Sequence, residues 1–350
     1  MILQNKTIRG ILAGALGGFL AWIMSEPVAL VILNPYGSVA DLLFRDALWG
    51  IPVGIGLGLI LGAAEGFSLR STMLTVRGAL IGAAIGLVGG MVGVVLAEAV
   101  YQQVQWLCLI GRGLGWSIFG LFLGLQEGIR RRSLKGTRNA AIGGWIGGFV
   151  GGVLFDIVGA FTSFIGGGTL SRGIALITLG AAIGVLIVLV ERVLADGTLV
   201  VTLGRFEGRE ILLDKPTMIL GGDEHNDVYL PDKGVVPRHA EIRAEGSGFA
   251  IESLNGPVTV NKLAVTRQLL QPGDQVEIGV TRMRYRTRRR DVPVATSAPR
   301  PPARLSPAPP AARPELSPAS PIAPTTNMCP RCAHLNRAGA KFCQRCGQKL

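Results

Sequence analysis

Four cysteines near the C-terminus are the residues best placed to do chemistry. Cys329 and Cys332 form one Cys-x-x-Cys pair, and after ten residues Cys343 and Cys346 form a second. Each pair presents two soft sulfur ligands to one side, and two such turns facing each other suit tetrahedral Zn2+. A redox dithiol would need one motif inside an α/β unit, not two in tandem. Four thiolates close the coordination sphere, so the expected Zn2+ is structural, and His334, between the pairs, is a bystander. The chain has three histidines, and no Walker loop, no His-Glu-x-x-His and no nucleophile with a neighbouring base occurs in it. Enzymatic chemistry is not expected.

Thiolate ligands need a reducing compartment, which points the C-terminal end toward the cytoplasm. Residues 291–327 hold eleven of the 20 prolines, interleaved with Ala, Ser and Arg, and read as a disordered, extended spacer. Ser306-Pro307 and Ser317-Pro318 in it carry little weight as modification sites, because such pairs are common in any linker of this composition. Residues 328–350 beyond it resemble small zinc-ribbon domains, including Gly347 after the last pair.

The 350 residues have a mean hydropathy of +0.43, only 17% charged residues and 50 glycines. The apolar character is concentrated before residue 195. Six apolar runs occur, at 8–24, 43–64, 75–97, 107–126, 139–160 and 172–190, and no ionisable residue lies between Arg9 and Glu26, Asp46 and Glu65, Arg77 and Glu98, Arg112 and Glu127, Arg138 and Asp156, or Arg172 and Glu191. About 20 apolar residues cross a bilayer core at roughly 1.5 Å per residue, so 1–196 reads as a six-span α-helical membrane bundle. No cleavable signal peptide is apparent.

Charges at the run ends recur: Arg9, Arg77 and Arg138 open odd runs, and Glu65, Glu127 and Glu191 close even ones. Arg45, Arg112 and Arg172 lie near the starts of even runs, while Glu26, Glu98 and Asp156 end odd ones. Glycine clusters follow the same rhythm, which indicates three tandem helical hairpins of roughly 65 residues. Small residues at intervals of three or four let helix backbones approach in lipid. A substrate path is the alternative use of such glycine, and it lacks mid-membrane ionisable groups here.

Basic residues of the N-terminus and even loops (Lys6, Arg9, Arg70, Arg77, Arg130, Arg131, Arg132, Lys135, Arg138) outnumber Arg45, Arg112 and Arg172 of the odd loops. Positive charge stays inside, so both termini are expected in the cytoplasm of a bacterial-type inner or plasma membrane. On the outer face the acids Glu26, Glu98 and Asp156 are expected to pair with Arg45, Arg112 and Arg172. The net charge of +12 is absorbed largely by these loops, so nucleic acid is not an expected partner. Arg282, Arg284, Arg286 and Arg288 to Arg290 would suit anionic lipid or RNA, and equally a solvated last strand, the reading adopted.

From residue 197 short alternating runs (199–203, 210–213, 217–220, 240–243, 249–252, 258–260, 275–278, 283–287) are broken by Gly, Pro and Asp, the pattern of an antiparallel β-sandwich. LGGDEHNDVYLPDKGVVPRHAEI at 220–242, Asn255-Gly256, Val260-Asn261 and LQPGDQVEIG at 270–279 resemble forkhead-associated (FHA) domains. The resemblance covers 198–288, within a sandwich assigned to 197–290.

It implies peptide recognition by loops at one end of the sandwich, with Arg238, His239 and Asn255 as the residues to examine. In that family an Arg after the first Gly and a Ser three before the His hold a phosphothreonine. Those positions are Gly222 and Val236 here, and Pro257 replaces the usual Thr. Arg238, His225 or Lys233 would have to supply any substitute donor. The expected function is a membrane-anchored scaffold or signalling adaptor that recruits partner proteins through this domain and the ribbon, without dependence on phosphothreonine. A transporter or channel regulated by its cytoplasmic modules is the alternative.

Overall fold

The computed structural model describes residues 5–31, 38–103, 109–162, 167–246, 248–287, 326–332, 334–337 and 340–349. Cys108, Arg288 to Arg290, both Ser-Pro pairs and most of the proline segment lie outside them. Residues 1–292 form one compact unit and 293–350 a second.

The first unit begins with six helices: α1 (Lys6–Val31), α2 (Val39–Ser68), α3 (Thr72–Gln103), α4 (Leu109–Arg131), α5 (Leu134–Thr162) and α6 (Gly167–Leu194). Each packs on its neighbours in sequence and α1 closes against α6, so the helices form a ring. Among the described residues α1, α2, α3, α5 and α6 are long and apolar enough to cross a membrane. The C-terminal turns of α4 carry Gln126, Glu127, Arg130 and Arg131, which lower its apolar character. Large side chains such as Leu16, Phe44, Leu80 and Trp145 are exposed on the ring's outer face, where a water-soluble bundle would place polar residues.

The ring uses two kinds of crossing. In α2–α3 glycine meets glycine: a Cβ on Gly54 would run into the Gly86 carbonyl and stand 2.8 Å from Gly90 Cα. The same collision occurs between Gly120 of α4 and Gly144 of α5, and between Gly14 of α1 and Gly180 of α6. At the other crossings, odd-helix glycine receives the backbone of an even-helix residue with a bulky side chain. Hypothetical Cβ atoms on Gly17, Gly93 and Gly147 would lie 3.2, 3.0 and 2.8 Å from the Cα atoms of Leu57, Phe119 and Ile183. Those three side chains, with Val53, Leu123 and Leu179, are fully buried in the helical core.

The α2–α3 and α4–α5 turns share one geometry. Arg70 and Arg132 adopt φ of 53°, a left-handed conformation that a non-glycine residue holds only at some cost. Ser71 N–H then reaches back to Gly66 O at 3.2 Å, and Ser133 N–H to Gly128 O at 3.3 Å, which satisfies last-turn carbonyls. The serine hydroxyls accept from Leu74 N at 3.1 Å and Gly136 N at 2.9 Å, capping the next helices.

The sandwich follows α6 after two residues. One sheet has the order β2-β1-β11-β10-β7-β8 and the other β4-β3-β5-β6-β9. The strands are β1 (Gly197–Leu203), β2 (Glu210–Leu213), β3 (Thr217–Gly221), β4 (Val228–Tyr229), β5 (Ala240–Glu245), β6 (Gly248–Ser253), β7 (Val258–Val260), β8 (Leu263–Val265), β9 (Arg267–Leu269), β10 (Gln275–Ile278) and β11 (Thr281–Thr287). Leu199, Leu220, Ile242, Ile251, Val276 and Met283 fill the space between them.

Two sequence expectations are corrected. The sandwich is not wholly antiparallel, because β3 pairs with β4 in parallel. β4, β8 and β9 are also additional to the eight expected strands. They are two or three residues long and carry little alternation to read.

The second unit holds β12 (Thr326–Met328), paired antiparallel with β13 (Leu335–Arg337). Its first two residues fall inside the segment read as linker.

Overpacking a close crossing typically costs about 1–3 kcal/mol. Gly54→Leu should therefore lower the thermal unfolding midpoint of the full chain in detergent, while Ile23→Leu, at an exposed position, should not. Equal stability of both variants would show that the α2–α3 contact is not tight.

Candidate binding loops, cysteine cluster and charge network

Three loops meet at one end of the sandwich: 222–227, 230–239 and 254–257. Gly222 N donates to Val236 O at 3.0 Å, and Asp223 N to Pro237 O at 3.3 Å. The Asn226 amide donates to Pro237 O as well. His239 lies beneath them, fully buried. Its Nδ1 accepts from Val236 N at 3.2 Å, so the proton sits on Nε2, which donates to Pro257 O at 2.9 Å. A Cβ on Gly256 would overlap the His239 ring, so that approach requires glycine. Asn255 Nδ2 donates to Arg238 O at 2.9 Å.

His239 and Asn255 are thus spent on holding the loops, and Arg238 is exposed beside them. His225 is exposed too, its Nδ1 2.8 Å from Asp223 Oδ1, and Lys233 is exposed further along the loop. Gly222 and Val236, at the same loop end, offer no side-chain donor.

In the second unit the four cysteine sulfurs lie within 4.8 Å of one another. Cys329 and Cys346 Sγ are 3.6 Å apart, as are Cys332 and Cys343 Sγ. Sulfurs about 2.3 Å from a tetrahedral zinc stand about 3.8 Å from each other, so the donor set fits such an ion. Burial raises the Cys343 thiol's pKa, but N–H groups of Arg345 and Cys346 hold it down at about 6, which favours a thiolate. Cys332 is pushed up to about 12, its His334 backbone contact outweighed by burial and the neighbouring sulfurs. His334 contributes its carbonyl, accepting from Cys329 N at 2.9 Å, and is not among the clustered ligands.

Of the outer charges, Glu26 and Arg172 meet. Arg172 Nη2 is 2.5 Å from Glu26 Oε1. Arg45 lies 3.7 Å from Asp41 on its own helix, and Glu98 accepts from Gln102 at 2.5 Å. Asp156 sits in α5; the side chain of Arg112, in α4, lies outside the described residues.

A second charge network occupies the opposite helix ends, and the sequence does not show it as a unit. Glu65, which ends α2, pairs with Arg130 of α4 and accepts from Arg209 of the sandwich at 3.4 Å. Arg131 is 2.5 Å from Glu127, 3.8 Å from Glu191 and 3.9 Å from Asp214. Lys6 Nζ is 2.6 Å from Glu191 Oε2, both buried. Burial lowers the Arg209 pKa despite Glu65, and burial raises that of Asp214 despite Arg131.

Hydroxyls add to the seam: Ser71 donates to Glu224 at 2.8 Å and Ser133 to Asp214 O at 2.9 Å. Arg192 pairs with Glu210 at 2.7 Å, and Lys135 with Asp196. The regular spacing of Glu65, Glu127 and Glu191 and the run Arg130 to Arg132 are the available sequence signals, and by themselves they report only topology.

Residues 201–288 match the family described as the inner membrane component of T3SS, cytoplasmic domain. Glycogen accumulation regulator GarA of Mycolicibacterium smegmatis is 41% identical over 92 residues, 25% of this chain and 58% of GarA. The sandwich is a forkhead-associated domain. The oxoglutarate dehydrogenase inhibitor of Corynebacterium diphtheriae is 39% identical over 90 residues, 25% of this chain and 62% of that protein. The chain thus spans less than two thirds of the curated relatives it matches.

Among solved structures, the FhaA FHA domain complexed with the intracellular domain of Rv3910 is 33% identical, with a TM-score of 0.24. It covers 26% of this chain and 99% of that one. The cytoplasmic domain of PscD from P. aeruginosa, a T3SS sorting platform protein, is 22% identical with a TM-score of 0.25. That match covers 28% of this chain and 85% of PscD.

Removing one partner of a buried charge pair costs about 3–5 kcal/mol. Glu65→Gln leaves Arg130 and Arg209 short of a counter-charge, and the Glu65 site is about one-fifth exposed, so a loss on the order of 2 kcal/mol is expected. Limited proteolysis should then cut earlier near residues 195–197. A wild-type digestion pattern would mean that Glu65 does not hold the FHA domain to the helices.

Proposed function

We propose that this protein is a membrane-anchored cytoplasmic scaffold that recruits partner proteins through its FHA domain and a zinc ribbon. Six helices cross a bacterial-type inner or plasma membrane with both termini in the cytoplasm, in the four-part organisation 1–196, 197–290, 291–327 and 328–350. The lipid bilayer is its second partner. The observation that carries this reading is the joint presence of the glycine-packed apolar ring and an FHA domain seated on it. FhaA offers a parallel in its complex with an intracellular domain.

Three equivalent glycine crossings support the reading of 1–196 as three tandem hairpins. The same interior weighs against a transporter, because Leu57, Phe119, Leu123 and Ile183 are buried together in the core of the ring. In this reading Glu26 and Arg172 steady the outer ends of α1 and α6, with Arg45, Glu98, Arg112 and Asp156 serving the same outer layer. Zn2+ on Cys329, Cys332, Cys343 and Cys346 is structural.

Partner recognition does not depend on phosphothreonine. His239 and Asn255 shape the loops and Arg238 offers an exposed contact, while Gly222 and Val236 remove two donors. Hydrogen bonds to charged groups contribute about 1.5–3 kcal/mol each, so the two losses correspond to roughly two to four decades of affinity. Full-length protein in nanodiscs, titrated with paired phosphorylated and unphosphorylated threonine peptides, should scarcely distinguish them. Phosphate-dependent binding abolished by Arg238→Ala would show that a displaced arginine has taken the missing role.

Orientation is tested by thiol labelling of intact cells with Cys108 replaced by Ala. Cysteine at Ser38 should react with an impermeant reagent and cysteine at Arg132 should not, and the reverse pattern would invert the topology. Chelation should release one Zn2+ per chain and unfold the ribbon alone, leaving the thermal transition of residues 1–292 in place. Purified, reduced protein without zinc would remove the ribbon assignment.

A further inference from the structure

Beneath the FHA domain, at the helix ends, lies a cavity of about 180 Å³ that the scaffold reading does not use. Helices and turns supply one wall and residues of β2–β4 with their loops the other. Eight basic and five acidic side chains line it, leaving an excess of three positive charges.

The excess can be assigned to residues. Arg130, Arg131, Arg209 and Lys215 each meet a carboxylate, as does Lys6. Arg9, Arg77 and Arg132 do not have one within 4.0 Å among the described residues; Arg9 donates only to the Ser68 hydroxyl, at 2.9 Å. They come from α1, from α3 and from the left-handed residue of the α4–α5 turn. Arg9 and Arg77 are half-buried in that lining and Arg132 is exposed at its edge; like charges lining one recess repel, most where burial weakens water's screening. An anion between them removes the repulsion, and the guanidinium fork matches phosphate oxygens in bidentate fashion. Water-sized occupancy takes about 10–15 Å³ each, so the cavity has room for a phosphate group and part of what carries it.

We propose that Arg9, Arg77 and Arg132 form a phosphate-binding site in this cavity, occupied by a phosphate-bearing anion that joins the helical ring to the FHA domain. Two sources share that chemistry: a soluble phosphate compound, and the headgroup of an anionic phospholipid beside the helix ends. Glu224 to Asp227 of the 222–227 loop form part of the cavity wall, whereas Gly222 and Val236 do not line it.

The test uses the full chain in two settings. In neutral detergent, inorganic phosphate and pyrophosphate are titrated while thermal unfolding is followed. In nanodiscs, phosphatidylcholine alone is compared with phosphatidylcholine plus phosphatidic acid. Saturable stabilisation is expected in at least one setting, and the setting that responds identifies the source. The apparent affinity should weaken at least tenfold in Arg77→Gln/Arg132→Gln, and by less in each single variant.

Neither residue has a carboxylate partner to lose, and the single variants extend the test should the double variant fail to fold. Arg284→Gln/Arg286→Gln, which removes the same charge from the exposed face of β11, should respond as wild type. The proposal is overturned by absence of stabilisation in both settings. It is equally overturned if the two double variants respond alike, since that would reduce the effect to net charge.

Discussion

A carboxylate withdrawn from water has to be met by cations, and Glu65 is met from two directions. Arg130 reaches it from α4 and Arg209 from the FHA domain, so one side chain at the end of α2 ties two helices and a β-sandwich together. Around it Arg131 spans Glu127, Glu191 and Asp214. The desolvation of so many charges is tolerable only while every partner stays in place. That makes the seam a cooperative unit rather than a set of separate bridges.

The ring of helices satisfies a different constraint. On the proposed membrane reading, lipid gives no hydrophobic drive between helices, and close backbone contact supplies the attraction through dispersion. Alternation of glycine–glycine crossings with crossings where glycine receives Leu57, Phe119 or Ile183 achieves this while filling the interior. The helix ends then converge, which is what places the repeated glutamates and the arginine turns within reach of one another. Packing inside the ring and charge pairing at its rim are therefore consequences of the same glycine pattern.

The FHA domain shows how a binding fold can keep its frame while lacking ligand donors. His239, buried and committed to Val236 N and Pro257 O, organises the loops. Gly222 and Val236, which face each other across this loop end through Gly222 N and Val236 O, carry no side-chain donor. Arg9, Arg77 and Arg132 line the recess between the domain and the helices, where Glu224 to Asp227 of the 222–227 loop form part of the wall.

Much of this architecture is legible in the amino-acid chain itself. Six apolar runs, the FHA core from 220 to 242 and the Cys-x-x-Cys pairs are local patterns, and local patterns report helices, strands and metal ligands directly. β4, β8 and β9 are not legible there, since two or three residues carry no periodicity and their pairing is decided by neighbouring strands. The outer charge layer is legible in part. Glu26 and Arg172 meet across α1 and α6, and Arg45 also reaches Asp41 one turn away on its own helix. The inner network is decided by tertiary structure alone. Glu65, Arg130 and Arg209 are separated by 65 and 79 positions, and only closure of the ring and seating of the sandwich bring them together. Sequence spacing specifies which residue types recur at helix ends; which of them share a buried site depends on how backbones approach in three dimensions.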